Sequence, residues 1–299
     1  MEALLACLEQ NRIRVRRDFP LSDLSSFRIG GPARAVVEPE TSGQLIFALR
    51  AISESGCRML TVGNGSNLLF PDNGFDGVIV RTTFCREWKR QGNGFFLSAG
   101  VRLGTLAAAA RDAGLSGAEF CYGIPGTVGG GVFMNAGAFG GEMAQITVSS
   151  DFYDLSADAC GTLTGAEQAF GARTSVYASC PERVILGARV VLQEGDQREI
   201  QERMDDCLAR RKSTQPLEYP SAGSVFKRPA EHFAGKLIED CGLKNTRIGG
   251  AVVSAKHAGF IVNVGGATAC DVLRLIELIE TTVQRETGVA LEREIRIVN

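Results

Sequence analysis

Histidine is nearly missing from this chain. With only His232 and His257, a zinc centre would need an unusual ligand set. No G-x-S-x-G turn is present either, so a Ser-His-Asp hydrolase has no nucleophile elbow to build on. The nine cysteines, Cys7, Cys57, Cys85, Cys121, Cys160, Cys180, Cys207, Cys241 and Cys270, are scattered and never spaced C-x-x-C. That pattern reads as reduced thiols in a reducing compartment, and no metal site is expected. No apolar run approaches the ~18 residues that cross a bilayer. The opening "MEALLACLEQNRIRVRRDFP" has an acidic residue at its start and no cleavage-type ending, so no secretion signal is expected. Nor is there a basic surplus: 32 Lys and Arg stand against 34 Asp and Glu, a net charge of -2, which argues against a nucleic-acid binder. The expected home is the cytoplasm, without membrane insertion.

What is present is a soluble, globular balance. In 299 residues, 44% are hydrophobic and 22% charged, enough for two or three domains with a substantial core. A helix is expected over residues 2–10. "SSFRIGGPARAVVEP" reads as a turn and a short strand, and "TSGQLIFALRAISESG" as a helix with a threonine cap and a terminal glycine. "RMLTVG" and "GVIVRT" read as strands, which gives a β-α-β arrangement with a glycine-rich turn. "FFLSAG" followed by "GTLAAAARDAG" repeats the strand-helix theme, and "VILGARVVLQ" alternates as a strand. A charged helix over about 195–212 runs into "RRKSTQPLEYP", the best candidate for a domain boundary. Beyond it lies an α/β unit with a long helix, "ACDVLRLIELIETTVQRETG", and a final strand, "REIRIV".

Glycine is the outlier: 36 residues, against roughly 21 at the average usage of about 7%. The first cluster, "VGNGSNLLF", holds Gly63, Asn64, Gly65, Ser66 and Asn67. The dinucleotide fingerprint fails here, because Leu68 stands where the third glycine belongs and "PDNGFDG", not a helix, follows. Alone, this loop reads equally as a phosphate cradle built from backbone N–H groups and as a plain tight turn. The second cluster, "GIPGTVGGGVFMNAGAFGGE" over 123–142, carries eight glycines in twenty residues. Each costs about 0.5–1 kcal/mol of backbone entropy relative to alanine in regular structure. The expected return is close approach of the backbone to an extended ligand. Ile124, Val128, Val132, Phe133 and Phe139 are too apolar for a solvent loop, so a bulky, partly apolar, phosphate-bearing ligand such as a dinucleotide fits.

Taken in order, "GNGSNLL", "GIPGTVGGGVFMNAGAFGGE", "ARTS", "PSAGSVFKRP", "KHAGFIVN" and "LEREIRIV" resemble the UDP-N-acetylenolpyruvoylglucosamine reductase family, in its shorter subtype. The resemblance runs from about residue 23 to the C-terminus. It implies a mixed α+β and α/β fold: an FAD-binding, vanillyl-alcohol-oxidase-type (PCMH-like) region in two subdomains, then a C-terminal α/β substrate domain. The corresponding divisions are 1–80, 81–204 and 205–299. It implies non-covalent FAD, since no histidine or cysteine lies in "GNGSN", and NADPH as co-substrate. The implied reaction reduces the enolpyruvyl ether of UDP-N-acetylglucosamine-enolpyruvate to UDP-N-acetylmuramate, for peptidoglycan and hence cell-wall biogenesis, cell shape and division. The expected cofactor residues are Gly63, Asn64, Gly65, Ser66, Asn67, Gly123, Ile124, Pro125, Gly126, Thr127, Gly129, Gly130, Asn135, Gly137 and Ala138. No second nucleotide fingerprint is visible, and a scheme in which NADPH and sugar nucleotide take turns over the flavin needs none. A monomer or weak oligomer is expected.

The resemblance also assigns roles. Hydride delivery to the enolpyruvyl double bond leaves charge on the neighbouring carbon and its carboxylate, which calls for a stabilising cation and an acid. Arg173 and Glu294 take the family's stabilising roles; a guanidinium fork suits a carboxylate. Ser224 is the implied proton donor, with Lys227, and Arg228 beside it, expected to supply a supporting field and, with Tyr219, substrate contacts. The bland alternatives are a serine capping a turn, a solvated Glu294 on an edge strand and a surface Arg173. Ala172 stands where the family usually has tyrosine, and Arg293 where it has proline. His257 reads as structural, Lys236 as a helix charge, and Cys121 and Tyr122 as core. Two rivals remain: an alcohol or lactone oxidase of the same fold, and a non-catalytic sugar-nucleotide sensor.

Overall fold

Leu4, Leu5 and Leu8 are buried on one side of a helix over Glu2–Gln10, and Leu45, Ala48, Leu49 and Ile52 on one side of another over Ser42–Glu54. The second begins at Thr41, whose hydroxyl accepts from Gln44 N at 3.2 Å, a side-chain cap for an otherwise orphaned amide. It stops short of Gly56, whose φ of 67° is left-handed and costs glycine little. These elements belong to a computed structural model that describes residues 1–299. The chain divides into two units. One takes Met1–Arg17, Ala35–Asn64 and Gly77–Arg210; the other takes Asp18–Arg34, Gly65–Asp76 and Arg211–Asn299.

The first unit holds two cores. In one, the two helices pack on a four-stranded sheet ordered Arg14–Pro20, Pro32–Glu38, Phe75–Arg81, Met59–Val62. Met59–Val62 runs parallel to Phe75–Arg81. The expected strand-helix-strand order is present, and the strands on either side of helix Ser42–Glu54 are not direct neighbours. Phe75–Arg81 fills the position between them, and its run of Val78, Ile79 and Val80, all fully buried, is what a strand covered on both faces requires.

The other core lies against a five-stranded sheet ordered Ala159–Thr164, Thr147–Asp154, Arg183–Val191, Gly94–Ser98, Trp88–Gln91. All its pairs are antiparallel. "FFLSAG" and "GTLAAAARDAG" are the strand Gly94–Ser98 and the helix Leu103–Asp112, as expected, and the strand pairs with a hairpin neighbour and with a strand some ninety residues further along the chain. Helix Leu103–Asp112 buries Leu103, Leu106, Ala107 and Ala110 in this core. Ile200 and Met204, from helix Gln197–Thr214, join it. That anchoring keeps the chain up to Arg210 in the first unit.

In the second unit, Arg247–Ile248, Ala251–Val253 and Ile261–Asn263 form a small antiparallel sheet. Helix Ala269–Thr287 buries Val272, Leu275, Ile276, Ile279 and Val283. A capping box between Thr268 and Asp271 starts it, and Gly288, φ 73°, ends it. Phe27, Ile29 and Leu69 complete the core from the two N-terminal segments, so this unit is not one continuous C-terminal stretch. No helix of the protein is long and apolar enough to cross a membrane.

Candidate active site

In the first unit, the start of one glycine cluster packs on the start of the other. Asn64 Nδ2 donates to Pro125 O at 2.7 Å, and a Cβ at Gly63 would overlap Thr127 Oγ1. The second cluster is in turn fixed to the turn after Gly94–Ser98. Leu103 N donates to Gly126 O at 3.1 Å, Val128 N to Val101 O at 2.8 Å and Gly129 N to Ala99 O at 2.9 Å. Thr82 Oγ1 donates to Val62 O at 3.4 Å, which brings the 82–83 turn to the same place. On these joined elements lie three buried hydroxyls, Thr83 Oγ1, Ser98 Oγ and Thr127 Oγ1, with no hydrogen-bond partner in the protein. A buried hydroxyl without a partner costs about 1–3 kcal/mol, so a cluster of them points to an acceptor that arrives from outside. Phosphate and flavin carbonyl oxygens are such acceptors, and the residues present fit FAD.

Part of the glycine density is set by the protein's own packing. A Cβ on Gly129 would stand 2.9 Å from Ala99 Cβ, one on Gly137 2.6 Å from Gly141 O, and one on Gly141 would overlap the Phe120 ring. These glycines are required by the protein's own packing. A Cβ on Gly130 would meet only Thr127 Oγ1, at 3.8 Å, and one on Gly140 nothing within 4 Å.

Arg173 joins the same loop. Its Nη2 donates to Gly137 O at 3.1 Å and its Nη1 to Asn135 O at 3.5 Å. Its backbone φ is 56°, a region uncommon for a non-glycine residue. Asn135 holds the loop from inside: Nδ2 donates to Gly171 O at 3.0 Å and Oδ1 accepts from Ala144 N at 2.9 Å. Ile124 and Tyr122 pack against the core, and Cys121 is fully buried, with its thiol pKa pushed up by burial.

In the second unit, Gly65 has φ 62°, and a Cβ there would overlap Leu24 O. Ser224 bridges Phe260, and Phe226 bridges Arg293, both antiparallel. Val225 N donates to Gly259 O at 2.9 Å, Glu294 N to Val225 O at 2.7 Å and Lys227 N to Glu292 O at 2.8 Å. Ser224 and Glu294, seventy residues apart in the chain, therefore stand on adjoining extended segments, both half-buried. Lys227 pairs with Glu292, so it acts on its surroundings as half of a dipole, not as a bare ammonium. The Arg228 guanidinium lies 4.0 Å over the Phe233 ring. Tyr219 is exposed. Lys236 pairs with Asp240 one helical turn on. His257 Nδ1 accepts from Gly259 N at 3.1 Å, and burial holds its pKa below the ordinary histidine value, as a structural histidine requires.

Sequence reasoning missed Ser26. Its hydroxyl donates to Ser221 O at 2.7 Å, and its N–H donates to Gly65 O at 3.2 Å. The stretch "SSFRIGG" gave only a turn and no sign of this stitch. It also missed Thr83 and Ser98, whose strand and turn positions carry no motif.

Comparison with known proteins agrees with this geometry. Residues 33–155 match the FAD binding domain family, and residues 215–298 match the family described as UDP-N-acetylenolpyruvoylglucosamine reductase, C-terminal domain. The UDP-N-acetylenolpyruvoylglucosamine reductase of Clostridium perfringens is 43% identical over 281 residues, 94% of this chain and 92% of that protein. That of Geobacillus kaustophilus is 42% identical over 292 residues, 98% and 94%. The crystal structure of UDP-N-acetylenolpyruvylglucosamine reductase from Thermus caldophilus superposes with a TM-score of 0.82 at 35% identity, covering 96% of this chain and all of that one. The fold and the cradle define an FAD-dependent oxidoreductase with the FAD-binding architecture expected from the sequence. Within that class, the chain belongs to the UDP-N-acetylenolpyruvoylglucosamine reductase family.

Proposed function

We propose that this chain reduces the enolpyruvyl ether of UDP-N-acetylglucosamine-enolpyruvate to UDP-N-acetylmuramate, with NADPH as the electron source, and so serves peptidoglycan precursor synthesis in the cytoplasm. The chemistry FAD supplies when bound is hydride transfer. The rest falls to side chains. Thr83, Ser98 and Thr127, with the glycine-rich stretches at residues 63–66 and 123–130, hold the cofactor. Arg173, kept in place by two loop carbonyls, offers its fork to the substrate carboxylate. Ser224 gives its proton to the carbon next to that carboxylate, and Glu294 stabilises the charge that develops there. Tyr219, Lys227 and Arg228 contact the sugar nucleotide.

One observation carries these roles beyond family membership: the backbone ladder, with Glu294 N on Val225 O at 2.7 Å, that sets the strand of Glu294 beside that of Ser224. Arg173 lies in the other unit, hydrogen-bonded to the second glycine loop. The test separates the two half-reactions. Purified protein should be yellow, NADPH should bleach the flavin and the enolpyruvyl substrate should restore its colour without peroxide. Ser224→Ala should leave bleaching nearly intact and slow recolouring by ~100- to 1000-fold, the usual cost of removing one such donor. Equal loss of both steps would remove Ser224 from the role, and peroxide in place of product would favour an oxidase.

A further inference from the structure

The last residue of the first glycine cluster is bonded differently from the first two. Asn67 Nδ2 donates to the backbone carbonyl of Glu294 at 3.0 Å, and the Asn67 carbonyl accepts from Arg296 N at 3.1 Å. Immediately beyond, Leu68–Leu69 pairs in parallel with Arg296–Ile297, and Val298 N donates to Leu69 O at 2.9 Å. Glu294 is thus gripped on both polar groups of its main chain: its N–H by the strand of Ser224, its carbonyl by the Asn67 amide. Regular pairing starts only at Arg296, so at residue 294 a side chain holds the carbonyl that a ladder neighbour would hold elsewhere.

We propose that Asn67 is a positioning residue for Glu294. Its amide fixes the peptide plane that follows the Glu294 Cα and, through it, the direction in which the carboxylate leaves the chain. Geometry at a reacting centre is demanding, and a 1 Å misplacement costs about 100-fold. The glycine cluster then has two duties. Gly63 and Asn64 sit at the cofactor cradle of the first unit, and Asn67 ties the far end of the same cluster to the residue that answers the developing charge. This rests on the role given to Glu294 above. It moves Asn67 from the list of cofactor ligands to the supports of the second half-reaction.

Four measurements on Asn67→Ala, Asn67→Asp and Asn67→Ser test it. In FAD-stripped protein, amide exchange of the 290–299 segment should quicken in the Ala and Asp variants, because Asp has the shape of Asn but presents no N–H to the carbonyl. FAD affinity by fluorescence titration should stay within roughly threefold of wild type, and flavin reduction by NADPH likewise. Flavin reoxidation by the enolpyruvyl substrate should slow by about 10- to 100-fold, with partial recovery in Asn67→Ser, whose shorter arm still carries a donor. An FAD dissociation constant raised tenfold or more, with normal reoxidation at saturating FAD, would make Asn67 a cofactor ligand and overturn the proposal. Equal loss of both half-reactions, or unchanged exchange over 290–299, would overturn it too. If wild-type protein fails to reoxidise with the enolpyruvyl substrate, the functional reading falls, while the exchange experiment still reports on the tether by itself.

Discussion

Thr127→Val should make the FAD-stripped protein more stable and the holoprotein harder to form. Thr127 is 1% exposed and its Oγ1 has no partner in the protein, while the position a Cβ on Gly63 would take lies against it. A buried hydroxyl that gave up water without gaining a partner costs about 1–3 kcal/mol. Valine keeps the branched shape and removes that penalty, so the stripped variant should unfold at higher urea by a corresponding margin. When FAD binds, the wild-type hydroxyl meets a charged or carbonyl oxygen, a bond worth about 1.5–3 kcal/mol with an ionised acceptor. Its loss should raise the FAD dissociation constant by ~10- to 150-fold at about 1.4 kcal/mol per decade. Equilibrium urea unfolding of stripped protein and fluorescence titration with FAD read the two effects separately. A stripped variant that is less stable than wild type, with unchanged FAD affinity, would refute the reasoning, since the hydroxyl would then be satisfied from within.

Asp72 accepts Ala269 N at 2.7 Å and Cys270 N at 3.1 Å at the start of helix Ala269–Thr287; Asp72→Ala should lower stability by about 0.5–2 kcal/mol, the range for a lost N-cap, with Asp72→Asn in between, and an unchanged urea midpoint would exclude the contact. For His257, burial lowers the folded-state pKa below the unfolded value of about 6.5. The unfolded chain therefore binds more protons in that window, and stability present above it is lost as pH falls through the folded value. The urea midpoint of wild type should drop more between neutral pH and pH 5 than that of His257→Asn, whose Oδ1 can still accept from Gly259; parallel profiles would show that His257 does not titrate on unfolding.

The helices were the legible part of the fold, and local chemistry is the reason. Thr41 and Gly56 punctuate one, and Thr268, Asp271 and Gly288 another, each within a turn of what it controls. Sheet order was not legible, because it is settled by distant partners: Gly94–Ser98 pairs with Arg183–Val191, and nothing in either stretch names the other. Two-residue pairings such as Leu68–Leu69 with Arg296–Ile297 are too short to leave a period. At the candidate site, the density of glycine was plain but its cause was not, since the need for Gly129 or Gly141 is created by Ala99 and Phe120, which only folding brings near. The nearness of Ser224 to Glu294 was legible only through the family's motif order. The Lys227–Glu292 pair, the Asn67 tether and the Ser26 stitch have no signature at all.

That Phe27, Ile29 and Leu69 sit in one core with Val225, Ile276 and Ile295 sets a schedule for biosynthesis. The ribosome delivers the first three early and the last of their partners near the end of translation. Until then their greasy surface has to wait, shielded by whatever else is at hand. A truncated product that stops short of Ile295 leaves this nucleus unfinished, and a freestanding piece beginning at Arg211 starts life with a hole where Phe27, Ile29 and Leu69 belong. Nonsense mutations late in the reading frame should therefore yield sticky, protease-prone chains instead of a lighter but sound enzyme.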